Sequence, residues 1–405
     1  MLLFIEKDKI MDVKNSKERS LITMQKRLLF IFIMSTFVVG TVELIITGIL
    51  ELIAADLDVS ESLSGQLITI YAFAFAIGAP ILSIKTAKLE RKKVLLASLS
   101  IFIIGNMISA ISQTYTMLAV VRVVTAFSAA LFIVVVLSTA AKLAHPAKQG
   151  RILGLVYMGF SAANVFGVPF GTFIGMALGW RFTFWLITLL SVVCFILIIL
   201  FLPKTNGSET DEKAPFKTVF KNREIHSLLT ITTVILAANY IVYSYISPFM
   251  TGAGYSLSTV SFMLLLAGIA GTLGTSAGGG LTDLIGAKKA LMISCLLFLV
   301  SMLLLRAALP FIFLFTLVVF IWNFAQWSTN PPIQYALINI NPKASELVLS
   351  LNMSALNIGI GLGAMIGGII IHNGGLLYTP FISAALSIIP LMLVLSLKQN
   401  KKLAS

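Results

Sequence analysis

The chain is a succession of long apolar runs cut by short polar turns. Twelve runs can be laid out, over residues 28–55, 64–84, 94–112, 116–141, 151–177, 182–202, 227–250, 259–282, 289–308, 310–338, 346–371 and 376–397. A helix needs about 20 residues to cross the hydrocarbon core of a bilayer, and these runs match that length. Polar positions inside the runs recur at steps of three and four, which predicts helices throughout.

The first run carries the sharpest anomaly. Thr36, Gly40, Glu43, Thr47 and Glu51 are spaced to share one helical face, while the remaining positions are mostly Leu, Ile, Phe and Val. A carboxylate near the middle of a membrane costs about 2.5–3.5 kcal/mol on the insertion scale. A chain tolerates that where the face looks into protein or a wet cavity. Glu43 is therefore expected to be a proton or substrate site; the alternative is a neutral acid hydrogen-bonded between packed helices.

Polar content is uneven among the other spans. Span 4 holds Arg122 with Thr125 and Ser128, and span 7 holds Thr232, Asn239, Tyr243 and Ser247 ahead of a kink expected at Pro248. Span 10 holds Trp322, Asn323, Gln326, Trp327, Asn330 and Gln334 around Pro331 and Pro332. Prolines inside a span free carbonyls one turn back. Amides and indoles beside such a break suit a binding wall for a solute with polar and flat apolar surface, or else an interhelical hydrogen-bond seam. Spans 3, 6, 9 and 12 are almost wholly aliphatic and aromatic. A cavity lined by spans 1, 4, 7 and 10, with 3, 6, 9 and 12 against lipid, accounts for this distribution.

Arg122 lies about seven residues from the outer end of its run, roughly 10 Å deep at 1.5 Å per residue, and Glu43 a little deeper. A direct or water-bridged pair is feasible, with Glu51 a second candidate partner or an interfacial residue. The alternative is Arg122 bonding carbonyls near the headgroups. Glycines mark spans 5, 8 and 11: Gly167, Gly171 and Gly175 flanking Pro169, then Gly268, Gly271, Gly274 and Gly278, then Gly359, Gly363 and Gly367. Small residues at four-residue steps predict close helix packing, extending to a sliding seam between halves.

Composition agrees with a polytopic membrane protein. Hydrophobic residues make up 58% and charged residues 11% of the chain, against about 25% charged in soluble domains; the mean hydropathy is +0.99. The net charge of +13 would suggest a nucleic-acid partner if it were clustered on a domain. It is spread over loops instead: 26 of the 29 Lys and Arg residues fall in the tails and the turns on one side. That asymmetry predicts both termini in the cytoplasm and no nucleic-acid binding. Residues 1–27 read as a cytosolic tail with no cleavable signal, Met24 being a second plausible start. Residues 203–225 read as a charged cytosolic linker with room for one amphipathic helix, between six-span halves over 28–202 and 226–397; residues 398–405 read as a cytosolic tail. Cys194 and Cys295 read as small hydrophobes, His145, His226 and His372 show no ligand spacing, and neither a metal nor a cofactor is expected.

The halves repeat. Gly167, Gly171 and Gly175 recur as Gly359, Gly363 and Gly367 at an offset of 192, while His145-Pro146 recurs as Asn341-Pro342 and Lys92-Lys93 as Lys288-Lys289 at 196. A six-span repeat makes the halves parallel, a plan shared by many secondary transporters.

These residues resemble the major facilitator superfamily, and within it the drug–proton antiporter branch, particularly its arabinose-efflux-permease-like group. The stretches that carry the resemblance are Gly40-Thr41-Val42-Glu43-Leu44, Tyr71 to Pro80, Gly167 to Gly175 with Gly179-Trp180-Arg181, and Gln326 to Gln334. The resemblance implies an all-α fold of twelve transmembrane helices and alternating access of two rocking halves around a central site. It matches Arg122 to the family's span 4 arginine and Gly167 to Gly171 to its antiporter motif. Asp283, with Gly279, Gly286, Lys288 and Lys289, matches the cytoplasmic gating turn, whose acid is replaced in the first half by Ala87; Glu51 stands where related sequences usually carry proline. The expected function is export of small drugs or sugars across the cell membrane by proton antiport, by a chain acting as a monomer. Glu43, Arg122 and Glu51 would serve the proton, and Asn239, Tyr243, Trp322, Asn323, Gln326, Asn330 and Gln334 the cargo. A sugar or metabolite importer of the same fold and a receptor without net flux are the alternatives. No nucleophile–base or metal constellation points to an enzyme.

Overall fold

A computed structural model describes residues 27–86, 88–143, 155–156, 158–160, 162–205, 222–340 and 345–397. The N-terminal tail, most of the 203–225 linker, the His145 and Asn341 turns, Ala87 and the C-terminal tail lie outside the described residues.

Among the described residues, twelve helices are long and apolar enough to cross a membrane. Span 1 begins as Arg27–Leu44 and continues as Ile46–Asp56. Spans 2, 3 and 4 are Glu61–Thr86, Arg91–Ala110 and Tyr115–Leu143. Span 5 runs to Leu178 and span 6 is Trp180–Phe201. Span 7 is Arg223–Tyr243 followed by Ile246–Thr251. Spans 8 and 9 are Leu257–Ile285 and Ala287–Ala308. Span 10 is Ile312–Ser328 followed by Asn330–Ile340, span 11 is Ser345–His372, and span 12 ends in Thr379–Ser396.

Four spans are interrupted, three of them at prolines. Pro248 has no N–H for the Ser244 carbonyl, and span 7 breaks at Ser244 and Tyr245. Pro331 and Pro332 break span 10 at Thr329. Pro169 coincides with a π turn over Ala163–Gly167 in span 5, a distortion that recurs at functional sites. The break in span 1, at Ile45, has no proline or glycine beside it and is one of hydrogen bonding only: Ile45 keeps helical dihedrals and its own N–H still bonds the Thr41 carbonyl. It divides the expected stripe: Thr36 donates to the span 5 carbonyl of Val156 at 2.8 Å, whereas Glu51 reaches span 7.

Each half is held by its glycine file. A Cβ on Gly167, Gly171 or Gly175 would press on Thr41, Ile45 and Ile49 of span 1; one on Gly359, Gly363 or Gly367 would press on Thr233, Ala237 and Ile241 of span 7. The three contacted positions are themselves offset by 192, so the repeat extends from the glycines to the residues they meet. The basic turns also match. Lys92 Nζ donates to the carbonyls of Ile199 and Leu202 at the end of span 6, and Lys288 Nζ to those of Leu395 and Leu397 at the end of span 12. Each lysine closes its half by capping carbonyls that the helix leaves unpaired, at the negative end of its dipole.

Spans 3, 6, 9 and 12 pack on helices of their own halves, while the halves meet chiefly where span 2 lies on span 11 and span 5 on span 8. Span 8 approaches through glycine: a Cβ on Gly268 would overlap Val165 and Asn164. On its other side Gly271, Gly274 and Gly278 admit Trp327, Phe324 and Ser328 of span 10.

Candidate functional site

The site grows from the break in span 1. Arg122, from span 4, is fully buried. Its Nη1 donates to the Val42 carbonyl at 2.8 Å, one residue before Glu43 and three before the break. The guanidinium lies over the Tyr71 ring of span 2, 4.1 Å from its centroid. Nε and Nη2 of Arg122 and the Tyr71 hydroxyl are buried without a hydrogen-bond partner among the described residues. The arginine therefore spends one donor on backbone and its face on an aromatic ring. The edge that binds a carboxylate side-on, with two parallel N–H groups, is left open.

Glu43 is the acid in that neighbourhood. It lies within electrostatic reach of Arg122, Tyr71 and Tyr240. Arg122 and Tyr71 belong to the first half and Tyr240 to the second, so the carboxylate stands between the halves. It keeps partly accessible surface although protein surrounds it, as expected for a side chain on an interior wall. No hydrogen bond or ion pair is made by its carboxylate among the described residues. The direct pair with Arg122 that the spacing made feasible is not formed; the guanidinium bonds a carbonyl, that of Val42, as in the alternative reading.

Aromatic side chains continue the wall into the second half. Tyr240 and Tyr243 meet edge to face with centroids 5.6 Å apart, and Tyr243 meets Trp322 at 6.1 Å. The Tyr243 hydroxyl donates across the halves to Asn164 Oδ1 at 3.0 Å. Trp322 Nε1 donates to Asn239 Oδ1 at 2.8 Å. Asn239 and Trp322 are buried and spent on each other, which makes this pair a seam between spans 7 and 10. Asn323 is buried, donating to its own helix at Val319, and Gln326 is buried. Asn330 and Gln334 are partly exposed on the second segment of span 10. The expected cargo residues therefore do not form one continuous exposed face, because the break at Thr329 separates them.

Glu51 does not approach Arg122 in the structure. Its Oε1 accepts hydrogen bonds from Ser247 Oγ at 2.7 Å and Thr251 Oγ1 at 3.0 Å, both on span 7 of the other half. Asp283 is exposed near the end of span 8 and makes no ion pair among the described residues. The Gly-Trp-Arg turn braces the first half: Arg181 pairs with Asp56 at 2.6 Å and Trp180 Nε1 donates to the same oxygen at 3.2 Å. Reading the sequence missed Tyr71, Tyr240 and Asn164. Asn164 carried a usable signal, a lone amide in an apolar run three residues before Gly167.

The match to the family model of the Major Facilitator Superfamily covers residues 31–346. The chain belongs to the major facilitator superfamily. It is 34% identical over 357 residues to an uncharacterized MFS-type transporter, YbcL of Bacillus subtilis (strain 168), covering 88% of this chain and 92% of the relative. It is 30% identical over 366 residues to the inner membrane transport protein YdhP of Escherichia coli (strain K12), covering 88% and 92%. It is 28% identical over 363 residues to a probable sugar efflux transporter of Helicobacter pylori (strain P12), covering 89% and 93%. Among solved structures, a bacterial homologue of the human lysosomal transporter Spinster, in an inward-facing and unoccupied conformation, superposes with a TM-score of 0.71 at 16% identity, covering 92% of this chain and 96% of that one. The protein is thus a multi-pass membrane protein of a transporter family that moves small molecules, with two parallel six-helix halves.

Proposed function

We propose that this transporter exports small organic solutes, drugs or sugars, from the cytoplasm by proton antiport, with Glu43 as the proton carrier. The observation that supports the reading best is the placement of Glu43: a carboxylate between the halves, unbonded, beside a buried arginine whose carboxylate-binding edge is open. In the protonated state the side chain is neutral and free of Arg122, as the observed geometry allows. On losing the proton it turns to the Nε and Nη2 edge, and the pair carries no net charge through the apolar interior. Cargo then meets Asn330 and Gln334, which are partly exposed, and reaches Tyr243, Asn323 and Gln326 as the halves part.

The placement of Lys and Arg favours cytoplasmic termini in the cell membrane, and the name of the Helicobacter relative favours efflux of a sugar-like solute. One pH unit supplies about 1.4 kcal/mol per proton, and 100 mV adds about 2.3 kcal/mol per charge moved. Together they support a concentration ratio of several hundred. A growth screen of an expressing strain against toxic compounds and sugars tests the direction. Wild type is expected to confer resistance to at least one class, and Glu43→Gln to lose it. Raised sensitivity in the wild-type strain, the sign of import, would overturn the reading.

A further inference from the structure

We infer that Glu51 and Tyr245 are the two parts of a latch that holds the halves shut at the end of the bundle where span 1 finishes. The inference rests on the proposed cycle only in taking that end as a gate. Both parts engage the short broken segment of span 7. The Glu51 carboxylate, from span 1, accepts the Ser247 and Thr251 hydroxyls. Two hydroxyls of the other half converge on the one oxygen Oε1, and no cation competes for Glu51 in an ion pair among the described residues.

Tyr245 sits at the break itself and is 1% exposed. Its ring enters a notch walled by Gly65 of span 2 and by Gly367 and Gly368 of span 11, where a Cβ on any of the three would collide with it. Its hydroxyl donates to the Ala364 carbonyl of its own half at 3.0 Å and lies 3.5 Å from the Ser62 carbonyl of the other. Beside it, Ser62 Oγ of the first half donates to the Gly368 carbonyl of the second at 2.6 Å. A further crossing lies at the same end, Ser261 Oγ to the Pro169 carbonyl at 3.1 Å. Toward the other end, Ser354 Oγ reaches the Ala76 carbonyl at 3.5 Å. Among the described residues, side-chain crossings are thus more numerous where Glu51 and Tyr245 act. The Pro248 break allows it: a continuous helix would carry Ser247 and Thr251 on a different course from Tyr245.

The test is a distance measurement between spin labels at Ala55→Cys and Ser258→Cys, exposed positions on opposite halves at this end, with Cys194 and Cys295 replaced by alanine. Wild type is expected to give a single short distance. Glu51→Ala should shift the population toward a longer distance by roughly tenfold or more, the effect of losing both hydrogen bonds across the halves. Glu51→Gln, which keeps an acceptor oxygen, should restore most of the short population. The near-isosteric pair Ser247→Ala with Thr251→Val should match Glu51→Ala, and all three together should add nothing. Distance distributions of Glu51→Ala and of the Ser247/Thr251 pair that superimpose on wild type would overturn the latch, as would independent, additive effects. Labelling of Ser258→Cys by a membrane-impermeant maleimide on intact cells reports separately which side this end faces. A failure there contradicts the proposed orientation and leaves the distance result to decide the latch.

Discussion

Arg122 offers a face and an edge, and the structure uses them differently. The face is covered by Tyr71 and one donor is fixed to the Val42 carbonyl, so the guanidinium cannot move independently of the backbone that carries Glu43. Lysine cannot reproduce this, having neither a planar face nor a two-pronged edge. Arg122→Lys is therefore expected to slow transport by about tenfold or more, the equivalent of ~1.4 kcal/mol, while the protein still reaches the membrane. Initial rates in membrane vesicles, normalised to the amount inserted, check this; rates equal to wild type would show that a point charge suffices. Glu43 and Arg122 stood out in the sequence because an ionisable residue within an apolar run is costly and therefore rare. Tyr71 did not, because a tyrosine is tolerated in a span for many reasons and only the packed neighbours show its use. The partners of Glu51 were illegible for the same reason: they lie 196 and 200 residues away, on a helix whose course depends on a break.

The spans themselves were readable, since length and apolarity decide what can cross a bilayer. The breaks at Pro248 and at Pro331-Pro332 followed from missing N–H donors. The lost hydrogen bond at Ile45 did not; there Arg122 takes the Val42 carbonyl that Ile46 N–H would otherwise meet. Glycine positions separate into two kinds with opposite expectations. A Cβ at Gly363 would overlap the Ala237 carbonyl, whereas Gly279 has open space around it. Gly363→Ala should cost roughly 1–3 kcal/mol through overpacking, lowering the melting temperature of the detergent-solubilised protein by several degrees, and Gly279→Ala should leave it unchanged. Equal melting temperatures for the two variants would remove the packing role of the span 11 file. The lysine caps make a similar, smaller prediction. Lys92→Met and Lys288→Met should each lose roughly 0.3–1 kcal/mol of helix-end stabilisation, read as a lowered melting temperature. A change confined to one of them would show that the two halves are not closed alike.

At the scale of the molecule, two similar halves are each braced internally and meet through side chains that can part. The recurrence of contacted residues at the glycine offset shows that the repeat is one of packing as well as of sequence. Between the halves lie an acid, an arginine edge and an aromatic wall, and one end is closed by hydroxyls and a tyrosine. Such an arrangement suits rocking of rigid halves about a central exchange site. The whole account depends on Glu43 surrendering its proton in step with cargo. Inverted membrane vesicles test that most directly, using a compound that emerges from the resistance screen. With an imposed inward-acid gradient, wild type should accumulate the compound and release it when the gradient collapses. Glu43→Gln should only equilibrate it, at a rate indifferent to the gradient. Full gradient-driven accumulation by Glu43→Gln would contradict the account.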